Sequence, residues 1–170
     1  MPVSEQGVDR KRYQLIPRVL IFLRRGELVL LIKGAATKRL WANRYNGVGG
    51  HVDAGEDILS AARRELEEET GLSAELWLCG TVVVETDQNP GICLFVYTGR
   101  CRTWRLRPSA EGTPEWVQLE RIPELPVVED LPILLGRLAS MGRGDPPFSA
   151  RSHYDDQGHL AVDFTEEVDP

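Results

Sequence analysis

Three glutamates, Glu65, Glu68 and Glu69, fall at positions i, i+3 and i+4 of a segment in which Ile58, Leu59, Ala62 and Leu66 recur at the spacing of a buried helical stripe. That spacing puts the three carboxylates on one helix face, where like charges weaken a helix by roughly a few tenths of a kcal/mol per pair unless something neutralises them. Oxygen ligands on a rigid face suit a hard divalent cation, and Mg2+ held this way keeps some of its waters and bridges to phosphate oxygens. A run of glutamates is also what a solvated helix face looks like. The context around them argues for chemistry. Gly50 is followed after five residues by Glu56, after seven more by Arg64-Glu65-Leu66, then by Glu68-Glu69 and Gly71-Leu72.

This pattern resembles the signature of the Nudix hydrolases, Gx5Ex7REUxEExGU with U aliphatic, and every position is filled. The signature is far more specific than a lone glycine-rich loop. The resemblance implies a Nudix α/β fold, an alpha/beta/alpha sandwich with a mixed β-sheet, and hydrolysis of a nucleoside diphosphate linked to another group. It also implies that Glu65, Glu68 and Glu69 bind Mg2+ or Mn2+, with Gly50 joining the metal-binding set. Arg64 would orient the glutamates, and Glu56 would pair with Arg64.

The elements that must position this helix are readable in outline. Residues 13–23 and 27–33 are rich in Val, Ile and Leu around Arg24-Arg25-Gly26, and predict an antiparallel pair of strands. Residues 34–44 have no clear period and predict a loop. At its end stand Trp41, Tyr45 and Asn46. An exposed aromatic can stack on a base and an Asn amide can both donate to and accept from a purine edge. Equally, Trp41 and Tyr45 could cover the end of a sheet and Asn46 could shape an Asn-Gly turn. Residues 76–86 and 91–100 predict a hairpin, residues 115–119 a strand, and residues 130–140 a second helix with Leu131, Leu134, Leu135 and Leu138 as its buried stripe. A small closing hairpin flanks Asp155-Asp156-Gln157-Gly158.

A finer resemblance lies outside the signature. RYNGVGGHV, the segment Val127-Val128-Glu129-Asp130 and the ending HLAVDFTEEV look like the MutT-type purine nucleoside triphosphatases that remove oxidised nucleotides, the 8-oxo-dGTP diphosphatases. By that resemblance Asn46, Glu129 and Asp130 read the purine edge, and the products are a nucleoside monophosphate and pyrophosphate. Glu129 replaces an expected Asp, Val127 an aromatic stacker and His51 a common Lys. Asp130 could also be an ordinary helix N-cap. The general base is either a signature glutamate or one from a later loop, where Glu111 matches best and Glu115 and Glu120 are neighbours. Hydrolysis of ADP-ribose or of dinucleoside polyphosphates would use the same metal helix, and a non-catalytic nucleotide-binding module would keep the fold.

The 170 residues, 42% hydrophobic, suit one domain over residues 13–170 after a flexible 1–12. Apolar runs are too short for a membrane span, and the mixed-charge start has no secretory h-region, so the expected location is the cytoplasm without membrane association. A net charge of -6 argues against a nucleic acid polymer as partner and leaves a small nucleotide. A monomer or homodimer fits. The three cysteines lack metal-ligand spacing and read as reduced packing residues.

Overall fold

The strand β1 (Leu15–Ile21) is apolar on both sides, and this decides where it lies. In the computed structural model, which describes residues 7, 9 and 11–165, Val19 and Ile21 enter one buried cluster while Leu20 enters the other. A strand covered on both faces reads as a continuous hydrophobic run rather than an alternation. Within the expected N-terminal tail, residues 1–6, 8 and 10 lie outside the described residues, as do residues 166–168 of the closing segment.

The pairing of β1 differs from the sequence expectation. Arg24 and Arg25 are a short strand, β2 (Arg24–Arg25), paired antiparallel with the start of β3 (Leu28–Gly34), while β1 runs parallel to a strand 70 residues further on. At Phe22 and Leu23 the chain passes between sheets: the Phe22 N–H bonds the Tyr97 carbonyl, and the Leu23 carbonyl accepts from Leu30. The residue pattern marks both segments as strands but carries no information about a non-local parallel partner.

The remaining strands and α-helices are β4 (Tyr45–Asn46), α1 (Ile58–Thr70), β5 (Ala74–Val84), β6 (Gly91–Cys101), β7 (Gly112–Gln118), α2 (Leu131–Ala139), β8 (Phe148–Tyr154) and β9 (Leu160–Phe164). One sheet has the order β1-β6-β5-β8-β9, with β1·β6 and β5·β8 parallel and the other pairs antiparallel. The other is built on β3, which pairs antiparallel with β2, β4 and β7. The first is the expected mixed sheet, the second is antiparallel, and α1 lies in one core cluster and α2 in the other, a mixed α/β architecture. The predicted β5–β6 and β8–β9 hairpins form, and the predicted strand at 115–119 begins three residues earlier. Among the described residues no helix is long and apolar enough to cross a membrane. The three cysteines are free thiols.

Candidate active site

Helix α1 starts where it does because the Asp57 carboxylate accepts hydrogen bonds from the Leu59 and Ser60 N–H groups at 2.9 and 3.0 Å, and it stops at Gly71, whose φ of 73° is costly for any residue with a Cβ. Ala61, Ala62 and Leu66 are buried and fix the helix roll. Glu65, Glu68 and Glu69 are thereby carried to the loop of residues 47–51, which lies beside β1 through bridges at Ile21–Val48 and Arg18–His51. Close approach is needed there: a Cβ on Gly50 would overlap the Glu65 carboxylate, and the Gly50 carbonyl accepts from the Val19 N–H at 2.9 Å.

Arg64 is the hub of the acidic face. Its guanidinium grips Glu56 with two bonds, Nε to Oε2 at 3.2 Å and Nη2 to Oε1 at 2.7 Å. It also donates to Glu65 at 2.9 Å, to Glu68 at 3.2 Å and to the His51 carbonyl at 3.0 Å. The hydrogen bond from Arg64 holds the Glu56 carboxyl below its ordinary range, helped by the Asp53 N–H. Glu65 and Glu69 go the other way. Burial pushes the Glu65 carboxyl up, and pushes that of Glu69, which is 3% exposed, up to about 7 against the opposing Gly49 N–H. Glu69 accepts that N–H at 3.0 Å and has no ion pair among the described residues.

Among the described residues, no three His, Cys, Asp or Glu side chains converge on one point as a ready metal cluster. Arg64 lies between Glu65 and Glu68, and Glu69 is turned toward Gly49. The donor set nevertheless fits a divalent cation, being hard carboxylate oxygens on one helix face with a buried carboxylate in need of positive charge. Arg64→Lys keeps the charge but loses the two-pronged grip on Glu56. It is expected to lower Mg2+ affinity and kcat/KM by roughly 10- to 100-fold, the range for groups that orient metal ligands; metal titration by calorimetry beside steady-state kinetics checks this.

A cleft runs away from the acidic face in two continuous parts. The acidic part, about 480 Å³, is bordered by Asp53, Glu65, Glu68 and Glu69. The larger part, about 560 Å³, has Arg18, Arg39, Trp41, Arg44 and Asn46 on its walls and Leu20, Ile32 and Leu94 among its apolar lining. Gly49, Gly50, His51, Glu69 and Glu111 border both parts. Lys38 holds Glu111 at this seam with a 2.7 Å ion pair.

The structure sorts the residues expected to meet a ligand. Asn46 is on the cleft wall, its Oδ1 accepting the Gly47 N–H at 2.7 Å, so the turn role and the wall position coexist. Trp41 is 49% exposed at the mouth, on a backbone with φ 64° that three hydrogen bonds among Gly34, Trp41, Asn43 and Arg44 hold in place. Tyr45 does not join them. It is 7% exposed, packs in the core cluster of α2, and its hydroxyl donates to Glu115 at 3.0 Å, because successive side chains on β4 point to opposite faces. Glu129 and Asp130 follow the segment bridged to Tyr45 through Val127. Glu129 accepts from the exposed Tyr154 hydroxyl at 3.1 Å. The Asp130 side chain makes no cap bond to α2, so the capping alternative does not hold, and burial pushes its carboxyl above the usual range. Sequence reasoning missed Arg18, Lys38, Arg44 and Tyr154. For Arg18 a signal existed: it is the one charge in the otherwise apolar LIPRVLIFL.

Comparison with known families gives a match to the NUDIX domain over residues 14–135, most of the chain. The chain belongs to the Nudix family. It is a hydrolase, and Nudix hydrolases generally use divalent metals and act on small nucleotides. A mouse (Mus musculus) relative named oxidized purine nucleoside triphosphate hydrolase is 34% identical over 106 residues, 61% of this chain and 67% of that one. A Danio rerio relative of the same name is 33% identical over 96 residues, covering 55% of this chain and 61% of its own length. The chain thus spans about two thirds of the curated relatives it matches. A crystal structure of a MutT protein from Bacillus halodurans superposes with TM-score 0.72 at 21% identity, covering 91% of this chain and 100% of that one. The NUDIX domain of Shewanella oneidensis NrtR, complexed with ADP ribose, gives 0.64 at 17% identity over 82% and 97%. At these identities the structures speak for the shared Nudix fold.

Proposed function

We propose that this Nudix hydrolase is a Mg2+-dependent pyrophosphohydrolase of purine nucleoside triphosphates, oxidised purines such as 8-oxo-dGTP among them, releasing a nucleoside monophosphate and pyrophosphate. The observation that carries the reading is the two-part cleft, a carboxylate face continuous with a cationic, aromatic-rimmed hollow. The named relatives from mouse and Danio rerio support the substrate class.

Glu65, Glu68 and Glu69, beside Gly50, would hold Mg2+ or Mn2+. When bound, the metal supplies charge neutralisation for the triphosphate and Lewis acidity for an attacking water. The protein does the rest. Arg64 keeps Glu65 and Glu68 in position. Glu111, at the seam and paired with Lys38, is the carboxylate that would take the proton of that water. Trp41 offers a ring to the base, and the Asn46 amide nitrogen, which has no partner among the described residues, a donor to its edge. Glu129 and Asp130, which border neither part of the cleft directly, would meet the purine edge from the segment bridged to Tyr45, with burial raising the Asp130 carboxyl.

Pyrophosphate release with Mg2+ across 8-oxo-dGTP, dGTP, 2-hydroxy-dATP, other nucleoside triphosphates, ADP-ribose and a dinucleoside tetraphosphate tests this. The highest kcat/KM is expected for an oxidised purine triphosphate. Preference for ADP-ribose or the dinucleotide overturns the substrate class and keeps the metal helix. Absence of all turnover overturns the catalytic reading.

A further inference from the structure

Arg18 has a partner missing from the protein itself. Its Nε is fully buried without a hydrogen bond, and among the described residues its guanidinium makes no ion pair. Arg18 is half-buried, and burial lowers its pKa from the ordinary arginine value, the direction expected where part of a guanidinium leaves water without a compensating anion. The side chain borders the larger part of the cleft, and its backbone is bridged to His51, one of the residues at the seam with the acidic part. The next residue, Val19, bonds the Gly50 carbonyl. Arg18 is thus one strand across from the point where the carboxylate face ends.

A buried donor left without an acceptor costs the folded protein stability unless a ligand completes it. A guanidinium is planar with five donors in a fixed fork, and its best-matched partner is an oxyanion taken in two-pronged fashion.

We infer that Arg18 is a substrate-binding residue that grips the phosphate attached to the nucleoside, and that the protein gives up stability to keep this guanidinium ready. The inference rests on the reading of the cleft as a nucleotide site. It assigns no chemistry at the carboxylate face, because the monophosphate half of the substrate is what Arg18 holds.

The test uses Arg18→Met and Arg18→Lys in the full chain, with thermal unfolding of the ligand-free protein and calorimetric binding of 8-oxo-dGMP against 8-oxo-deoxyguanosine, and of AMP against adenosine. Wild type is expected to prefer each monophosphate over its nucleoside by at least about 10-fold, as a charge-assisted hydrogen-bonded pair would give. Arg18→Met should erase that ratio, leave nucleoside affinity within about 2-fold, and raise Tm by roughly a few degrees. Arg18→Lys should restore part of the ratio. A lower Tm in Arg18→Met makes Arg18 a structural residue and overturns the inference. Equal losses for monophosphate and nucleoside overturn it as well, assigning Arg18 to the base. Failure of the preference for an oxidised base would show separately, as wild type binding both monophosphates alike with the Arg18 ratio intact.

Discussion

Replacing Glu68 by glutamine is expected to lower pyrophosphate release by about 10³-fold, because in the proposed role it would lose a metal carboxylate and with it several kcal/mol of charge stabilisation at about 1.4 kcal/mol per decade. The fold should be untouched. The Glu68 side chain is 59% exposed, and its recorded bond is the 3.2 Å contact from Arg64, an exposed i,i+4 pair of the kind worth about 0.3–0.5 kcal/mol. The measurement is kcat/KM at saturating Mg2+ beside a thermal melt. More than a tenth of the wild-type rate in a folded variant would take Glu68 out of the metal-binding set. A large loss of Tm would mean that the acidic face is structural.

The second large effect concerns Glu69. Its folded carboxyl is pushed up to about 7 from an ordinary 4.5, chiefly by burial. Between those values the folded chain holds a proton that the unfolded chain has released, so metal-free stability must fall as pH rises through that window. The full shift corresponds to about 3 kcal/mol at pH 8. Glu65, raised by the same cause, adds in the same direction. Urea unfolding in EDTA from pH 4.5 to 8 should therefore show declining stability. Glu69→Gln should flatten that decline and unfold at higher urea than wild type at pH 8. Mg2+ should restore the wild type at pH 8 and do little for the variant. A flat wild-type profile would mean that water reaches Glu69 and that burial does not tune it.

Both expectations begin at positions legible in the chain as written. The pairing of Glu56, which precedes the helix cap, with Arg64 came from the family signature, whereas the spacing of the apolar residues and glutamates made α1 and its acidic face legible, because helical periodicity is local. The β5–β6 and β8–β9 hairpins were legible for the same reason, being short-range pairings with turn residues between them. The parallel partner of β1 was not, since it lies 70 residues away and leaves no mark on either strand beyond apolarity. At β4, Tyr45 and Asn46 were both candidates for the ligand from residue type alone, and only the sheet determines that Asn46 faces the cleft while Tyr45 faces the core.

The sequence alone determined which residues could bind a metal and that they share one surface, because those facts depend on identity and on spacing within a single helix. What it could not determine was the electrostatic state of each. Glu65, Glu68 and Glu69 are the same residue type on the same face, yet Glu69 is buried against Gly49 while Glu68 is largely in water. Arg18 is one arginine among many until β1, β6 and the loop of residues 47–51 close around it and leave its Nε without a partner. Burial is a property of everything that packs around a group, most of it distant in the chain, and so the charges of this site were set by tertiary structure.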